Sequence, residues 1–256
     1  QNDVDALLTR LADRGVTTGA NRTLAYLKKF FKWCAAKKLI ELAPTLTVEK
    51  PVKERRCDRW FDAGELVEVW WGTEALPLRP RLVVRSLLLT AQRRGEVSGM
   101  RWAELSGLGT DEAVWCLPAA RTKNDRPHRV PLSPKMIELI EEAREQETGE
   151  FVFGAGDKPL WLGSREKARI DTAIAANRLA AGVKEPMPHW TFHDLRRTAV
   201  THMYDALDLK AQVVEAVVNH ISGTKGGVAG VYNQAKYSVQ KRDALNRWAA
   251  RVDLLL

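Results

Sequence analysis

Four side chains towards the C-terminal end of the sequence have the types and spacing to break a phosphodiester. His193 and Arg196 stand in the run His-Asp-Leu-Arg, His220 follows, and Tyr232 lies beyond a glycine-rich stretch from Ser222 to Gly230. Such a reaction needs a nucleophile, positive charge where negative charge develops on the phosphate, and a proton for the departing oxygen. A phenol can attack, and a spacing of three on a helix puts imidazole and guanidinium on one face, where they can share a phosphate. The glycines would let a nucleophile-bearing segment move. Taken alone, a tyrosine is more often a packing residue than a nucleophile, and Tyr237 is a rival close by. The His193-Asp194 pair also fits a metal phosphohydrolase, but no second cluster of His and Asp completes such a site in the sequence.

Positioning these groups falls to a mainly helical chain. Residues 17 to 38 read as an amphipathic helix capped by Thr17 or Thr18, with Leu24, Leu27, Phe31 and Cys34 on the core face. Its other face is basic: Arg22, Lys28, Lys29, Lys32, Lys37 and Lys38 are either phosphate contacts or a solvated surface. From Pro44 to Cys57 an extended basic linker is expected, carrying Lys50, Lys53, Arg55 and Arg56. A second region begins with Asp62 and Glu65 in capping-box spacing. A buried helix spans 79 to 90, ending beside Arg93. A β-hairpin joins 114–120 to 128–132 through a turn at Lys123, Asn124 and Asp125. Further helices are expected near 134–147, 164–181, 194–204, 210–219 and 238–254. The nine tryptophans are too dispersed for a base-stacking platform, so most are assigned to packing. His128, His189 and His202 receive no role.

The bulk composition suits a polyanionic partner. Forty Lys and Arg against 32 Asp and Glu give a formal charge of +8, which favours nucleic acid. Cys34, Cys57 and Cys116 are scattered, indicating neither a disulfide framework nor a zinc site. No apolar run is long enough to span a membrane, and a cytoplasmic protein is expected. Because the chain opens at Gln1 without a methionine, a fragment lacking an upstream domain is expected.

The order Thr90-Ala-Gln-Arg93-Arg-Gly-Glu96, Lys123 in a hairpin turn, His193-x-x-Arg196, His220 and Tyr232 resembles that of the tyrosine recombinases, the phage integrase family. The resemblance runs from about Asp62 to Trp248, and the stretch from Asn21 to Pro44 is similar to the end of a core-binding domain in integrases of phages and genomic islands. It implies a mainly α (α+β) fold: residues 1–57 would be a partial helical core-binding domain with a basic linker, and 58–256 a catalytic domain with a small antiparallel sheet. The two would clamp duplex DNA.

The resemblance further implies that Arg93 and Arg196 hold the non-bridging oxygens and that Lys123, reached from a flexible turn, protonates the leaving 5′ oxygen. His193 would assist proton transfer at Tyr232, and His220 would donate a hydrogen bond to the phosphate. Tyr232 would form a 3′-phosphotyrosine, with Glu96 bracing Arg93. Arg94 competes with Arg93, while Arg121 and Arg126 are candidates for a DNA groove. No metal or cofactor is implied. The partners would be double-stranded DNA with attachment sites, three further copies in a tetramer, and DNA-bending accessory proteins, in the cytoplasm or nucleoid of a bacterial host. The implied activity is integration or excision of a mobile or viral element. A type IB topoisomerase and a non-catalytic DNA-binding module are the alternatives. Ala91 and Asn219 depart from the family's pattern, each standing where a glycine is common.

Overall fold

The structure is a computed structural model that describes residues 2–53, 58–146, 149–220 and 237–256. It divides into two compact units, Gln1–Asp58 and Arg59–Leu256. Tyr232, the glycine-rich stretch before it, Arg55, Arg56 and Cys57 lie outside the described residues.

In the first unit, α1 (Asn2–Asp13) turns through Gly15, at φ +77°, into α2 (Thr17–Ala36). Val4 and Leu8 of α1 meet Leu24 of α2, with Leu27 and Phe31 at the margin. Val16, rather than Thr17 or Thr18, is the N-cap of α2, and no side chain caps it. The sequence pattern missed this because the helix begins one residue earlier than a Thr17 cap needs and two earlier than a Thr18 cap needs. The following segment is less extended and solvated than its composition suggests. Val48 is buried in the same small core, and the Asn21 amide grips the Val52 backbone, donating to its carbonyl at 2.8 Å and accepting from its N–H at 3.3 Å. Arg22, Lys28, Lys29, Lys32, Lys37, Lys38, Lys50 and Lys53 are all exposed.

The second unit is built around α4 (Leu78–Thr90), buried without interruption from Leu82 to Thr90. Before it, α3 (Ala63–Gly72) starts at the expected capping box, with the Asp62 carboxylate accepting from the Glu65 N–H at 2.9 Å. After it come α5 (Arg94–Ser98) and a three-stranded antiparallel sheet. Its order is β1 (Leu105–Ser106), β2 (Val114–Leu117) and β3 (His128–Pro131), with Trp115 opposite Val130 and Leu117 opposite His128. The two-residue β1 was not expected; it is too short to carry an alternating pattern.

Four helices follow: α6 (Pro134–Arg144), α7 (Ser164–Ala180), α8 (Phe192–Asp205) and α9 (Ala211–Val217). The described chain closes with α10 (Ser238–Leu255). Helices α5, α6, α8 and α10 all pack on α4. The tail helix docks within its own unit, burying Leu245, Trp248 and Val252, and the Trp248 Nε1–H donates to the Leu88 carbonyl at 2.8 Å. Of the tryptophans, Trp70, Trp115, Trp190 and Trp248 are buried, whereas Trp33, Trp60, Trp71 and Trp161 are exposed. No helix among the described residues is long and apolar enough to cross a membrane.

Candidate active site

The α8 helix begins two residues before the expected start, so His193 and Arg196 both lie in its first turns. Asp194 fixes that start. Its carboxylate accepts from the Thr191 N–H at 2.8 Å, the Thr191 hydroxyl at 2.9 Å and Arg197 at 3.0 Å. The acid is therefore buried in a cap, which accounts for the dipeptide without a metal ligand role.

Arg196 is buried and anchored from behind. Nη1 donates to the Ala91 carbonyl at 2.7 Å and Nη2 to the Val218 carbonyl at 2.6 Å. Two of its five N–H donors are thus spent on the backbone. Burial first, and the like charge of Arg93 second, push its pKa down to about 10, which leaves it cationic at neutral pH. Arg93 in turn is held by Glu96. The buried carboxylate accepts from the Arg93 backbone N–H at 3.0 Å and from Nη1 at 2.9 Å. His193 retains an exposed edge, while its pKa is lowered by partial burial and then by the charges of Arg197, Arg196 and Arg93. At neutral pH it is an imidazole able to accept a proton.

His193 and Arg196 line a hollow of about 390 Å³ with Gln92, Arg94, Gly95, Trp161, Thr191 and Phe192. Arg94 therefore also faces this space, and its Nη1 donates to the Leu162 carbonyl at 3.2 Å. Of the two neighbouring arginines, Arg93 is the one whose charge lowers the pKa of Arg196, and Arg94 forms part of the wall.

Behind Arg196, the C-terminal carbonyls of α9 are taken by several elements at once. Val217 accepts from Gln92 Nε2 at 2.9 Å and faces His128 Nε2 at 3.0 Å. His128 is buried, and that burial, reinforced by Lys241, depresses its pKa to about 3. It is therefore neutral, and Nε2–H is the donor. Next in the chain, Asn219 adopts φ +49° and pairs with Asn124 of the hairpin turn. His220 is exposed, with Nδ1 against the Glu215 carboxylate at 2.8 Å. Nδ1–H is thus committed to Glu215, and donation from Nε2 to a phosphate requires the imidazolium.

Lys123 is exposed on the hairpin turn. The turn is tied down rather than loose: the Thr122 hydroxyl accepts from the Arg126 N–H at 3.0 Å and donates to the Arg126 carbonyl at 2.7 Å. Arg121 points inward, paired with Glu104 and donating to the Glu96 carbonyl at 2.8 Å. Its charge braces the loop that holds Glu96, and only Arg126 of the two candidates is exposed. Tyr237, the rival nucleophile, is packed against the core at the start of α10.

Gln92, Asn124, His128, Glu215 and Trp161 were missed by sequence reasoning. An acid one turn before His220 was a usable signal for Glu215; burial of His128 had none.

The fold is that of integrase catalytic regions. A lambda integrase fragment, solved as a dimer bound to a COC′ core site, superposes with TM-score 0.64 at 17% identity, covering 86% of this chain and 78% of that one. The Tn1549 transposon integrase bound to circular intermediate DNA gives TM-score 0.57 at 13% identity, over 99% and 84% of the two chains. At such identities the likeness is one of fold. The chain belongs to the phage integrase family, whose model matches residues 61–237. Prophage integrase IntZ of Escherichia coli K12 is 28% identical over 99% of this chain and 60% of its own length. IntA of the same strain is 28% identical over 82% and 49%. The chain thus spans about half the length of these curated relatives.

Proposed function

We propose that this chain is the cleaving and rejoining part of a site-specific DNA recombinase that integrates or excises a mobile element. The observation that carries the reading is Arg196, buried and cationic, fixed between Ala91 and Val218 while sharing a hollow with His193 and standing in the field of Arg93. Two guanidiniums beside a neutral imidazole suit a phosphodiester that gains charge in its transition state.

In this reading Arg93 and Arg196 donate to the non-bridging oxygens, Arg196 through its remaining N–H groups. The Tyr232 phenol loses its proton to His193, directly or through water, as its oxygen attacks phosphorus. The bond to the 5′ oxygen breaks, Lys123 supplies that oxygen with a proton, and a 3′-phosphotyrosine forms. His220, as imidazolium against Glu215, donates from Nε2 to the phosphate. Rejoining reverses these steps, with the phosphodiester energy conserved in the tyrosyl linkage.

The exposed lysines and Arg22 of the first unit, with Lys50, Lys53, Arg55, Arg56 and Arg126, would supply sequence-independent phosphate contacts to duplex DNA. Exchange between two duplexes needs four active protomers, so a tetramer on attachment sites is the assembly proposed, acting in a bacterial cytoplasm with DNA-bending partners. Denaturing electrophoresis after incubation with a labelled, nicked duplex in chelator tests this. A labelled protein band is expected with the native chain and none with Tyr232→Phe; capture by the mutant would remove Tyr232 from its role.

A further inference from the structure

We infer that Asn124 and Asn219 form a latch that sets Lys123 relative to His220, making both asparagines positioning residues for protonation of the leaving oxygen. The inference rests on the reading of Lys123 as general acid. Asn124 directly follows Lys123, and Asn219 directly precedes His220. Asn124 Nδ2 donates to the Asn219 carbonyl at 3.0 Å, and Asn219 Nδ2 donates back to Asn124 Oδ1 at 3.2 Å. The pair spans 95 residues of sequence and joins the β2–β3 turn to the end of α9.

Two features make this more than incidental contact. Asn219 sits at φ +49°, a conformation for which glycine is the least strained residue and asparagine the next. A glycine there would satisfy the backbone and still offer its carbonyl to Asn124, but would lose the second bond; the Asn219 amide adds that contact without forfeiting the conformation. The other carbonyls at this end of α9, Val217 and Val218, are held by Gln92, His128 and Arg196. The segment entering His220 is thereby fixed to the arginine side of the site, and the asparagine pair is the link from that fixed segment to the lysine turn. A lysine on an exposed turn samples many positions, and restricting them raises the fraction of encounters in which its ammonium meets the leaving oxygen.

The test compares a normal nicked duplex with one whose scissile 5′ bridging oxygen is replaced by sulfur. In both, the Tyr232 oxygen–phosphorus bond forms as the bridging bond breaks. The oxygen must leave with a proton, whereas sulfur leaves as a stable thiolate and needs none. Asn124→Ala, which removes both bonds, is expected to slow capture of the oxygen substrate by about tenfold to a hundredfold, and Asn219→Gly, which keeps the bond from Asn124 to the 219 carbonyl, by a smaller factor; both should cleave the sulfur substrate within about threefold of the native rate. Asn219→Gly retains the backbone conformation, so it should still unfold cooperatively, with a midpoint within a few degrees of that of the native chain. The double variant should be no slower than Asn124→Ala, because that change already removes both bonds. Equal slowing on both substrates, or no slowing on either, overturns the latch. Lys123→Ala is the control for the underlying reading: if sulfur does not rescue it, Lys123 is not the acid and the latch falls with it. If sulfur rescues Lys123→Ala but neither asparagine variant, the latch alone is wrong.

Discussion

The Ala91 carbonyl accepts from Arg196 Nη1 at 2.7 Å, and it does so from a residue at φ +54° that ends α4. A non-glycine residue in this region carries a local conformational cost, and here the cost accompanies a carbonyl aimed at a buried guanidinium. Ala91→Gly is expected to stabilise the fold by about 0.5 kcal/mol, the relief of strain being partly offset by the greater freedom of the unfolded chain. Ala91→Val should destabilise it by about 2 kcal/mol or more. Urea denaturation of the two variants checks the opposed signs.

Arg196→Lys retains the charge but cannot donate to the Ala91 and Val218 carbonyls and to a phosphate together. Covalent capture should fall by at least about a hundredfold while affinity for duplex DNA changes little. Arg93→Ala should cost more cleavage than Arg94→Ala, since Arg93 is the partner braced by Glu96. Single-turnover capture beside a gel-shift titration separates the two quantities, and equal losses for Arg93 and Arg94 would argue against the assignment.

If His193 accepts the phenol proton, its neutral form is the active one. Its folded-state pKa lies below the ordinary 6.5, so the contribution of His193 to the profile is an acid limb in which cleavage declines as pH falls below 6.5. His193→Gln should be slow throughout and lose this acid limb. Initial capture rates between about pH 5 and 8, at saturating enzyme, report the profile.

His128 gives a separate signature in stability. Its folded pKa is about 3 against an ordinary value of 6.5, so the unfolded chain binds the proton first. The stability tied to neutral His128 is therefore complete above pH 6.5 and is lost as pH falls from there towards 3, with a slope of at most about 1.4 kcal/mol per pH unit. Lys241, Arg196 and Arg93 supply the surrounding positive charge. His128→Gln can keep the donor to Val217 without the titration. Its denaturation midpoint should fall less steeply between about pH 6.5 and 4.5 than that of the native chain.

Arg121 and Arg126 should separate in experiment as they do in burial. Removing Arg121 leaves Glu104, itself buried, without its ionic partner, and Arg121→Ala is expected to destabilise the fold by about 3 kcal/mol. Arg126→Ala should leave stability nearly unchanged, while weakening duplex binding and reducing its salt dependence by about one unit of slope. Thermal unfolding and salt-titrated binding make the comparison.

The α3 cap and the buried α4 helix were legible because their causes are local. Asp62 and Glu65 meet three residues apart, and the mostly apolar run from Leu82 to Leu89 holds only Arg85 and Ser86 as polar side chains, too few to make a solvated face. His193 and Arg196 were readable on one helix for the same reason, whereas Arg93 and Glu96 were picked out only by the resemblance to the family's pattern. The start of α2 was misassigned because a threonine caps only with the right backbone at its own position, which Val16 occupies instead. The segment after α2 looked like an open linker because the hydrogen bonds between Asn21 and Val52 cross 31 residues.

What the sequence determined by itself was the order of the candidate groups and most of the helices, since spacing along one chain fixes which side chains share a face. Only the folded chain decided their surroundings. Whether an arginine meets solvent or Glu104, whether a histidine stays neutral, and which amide reaches which turn depend on burial and on partners up to 160 residues apart. Dielectric environment and hydrogen-bond reach are properties of positions in space, and a linear order of residues does not contain them.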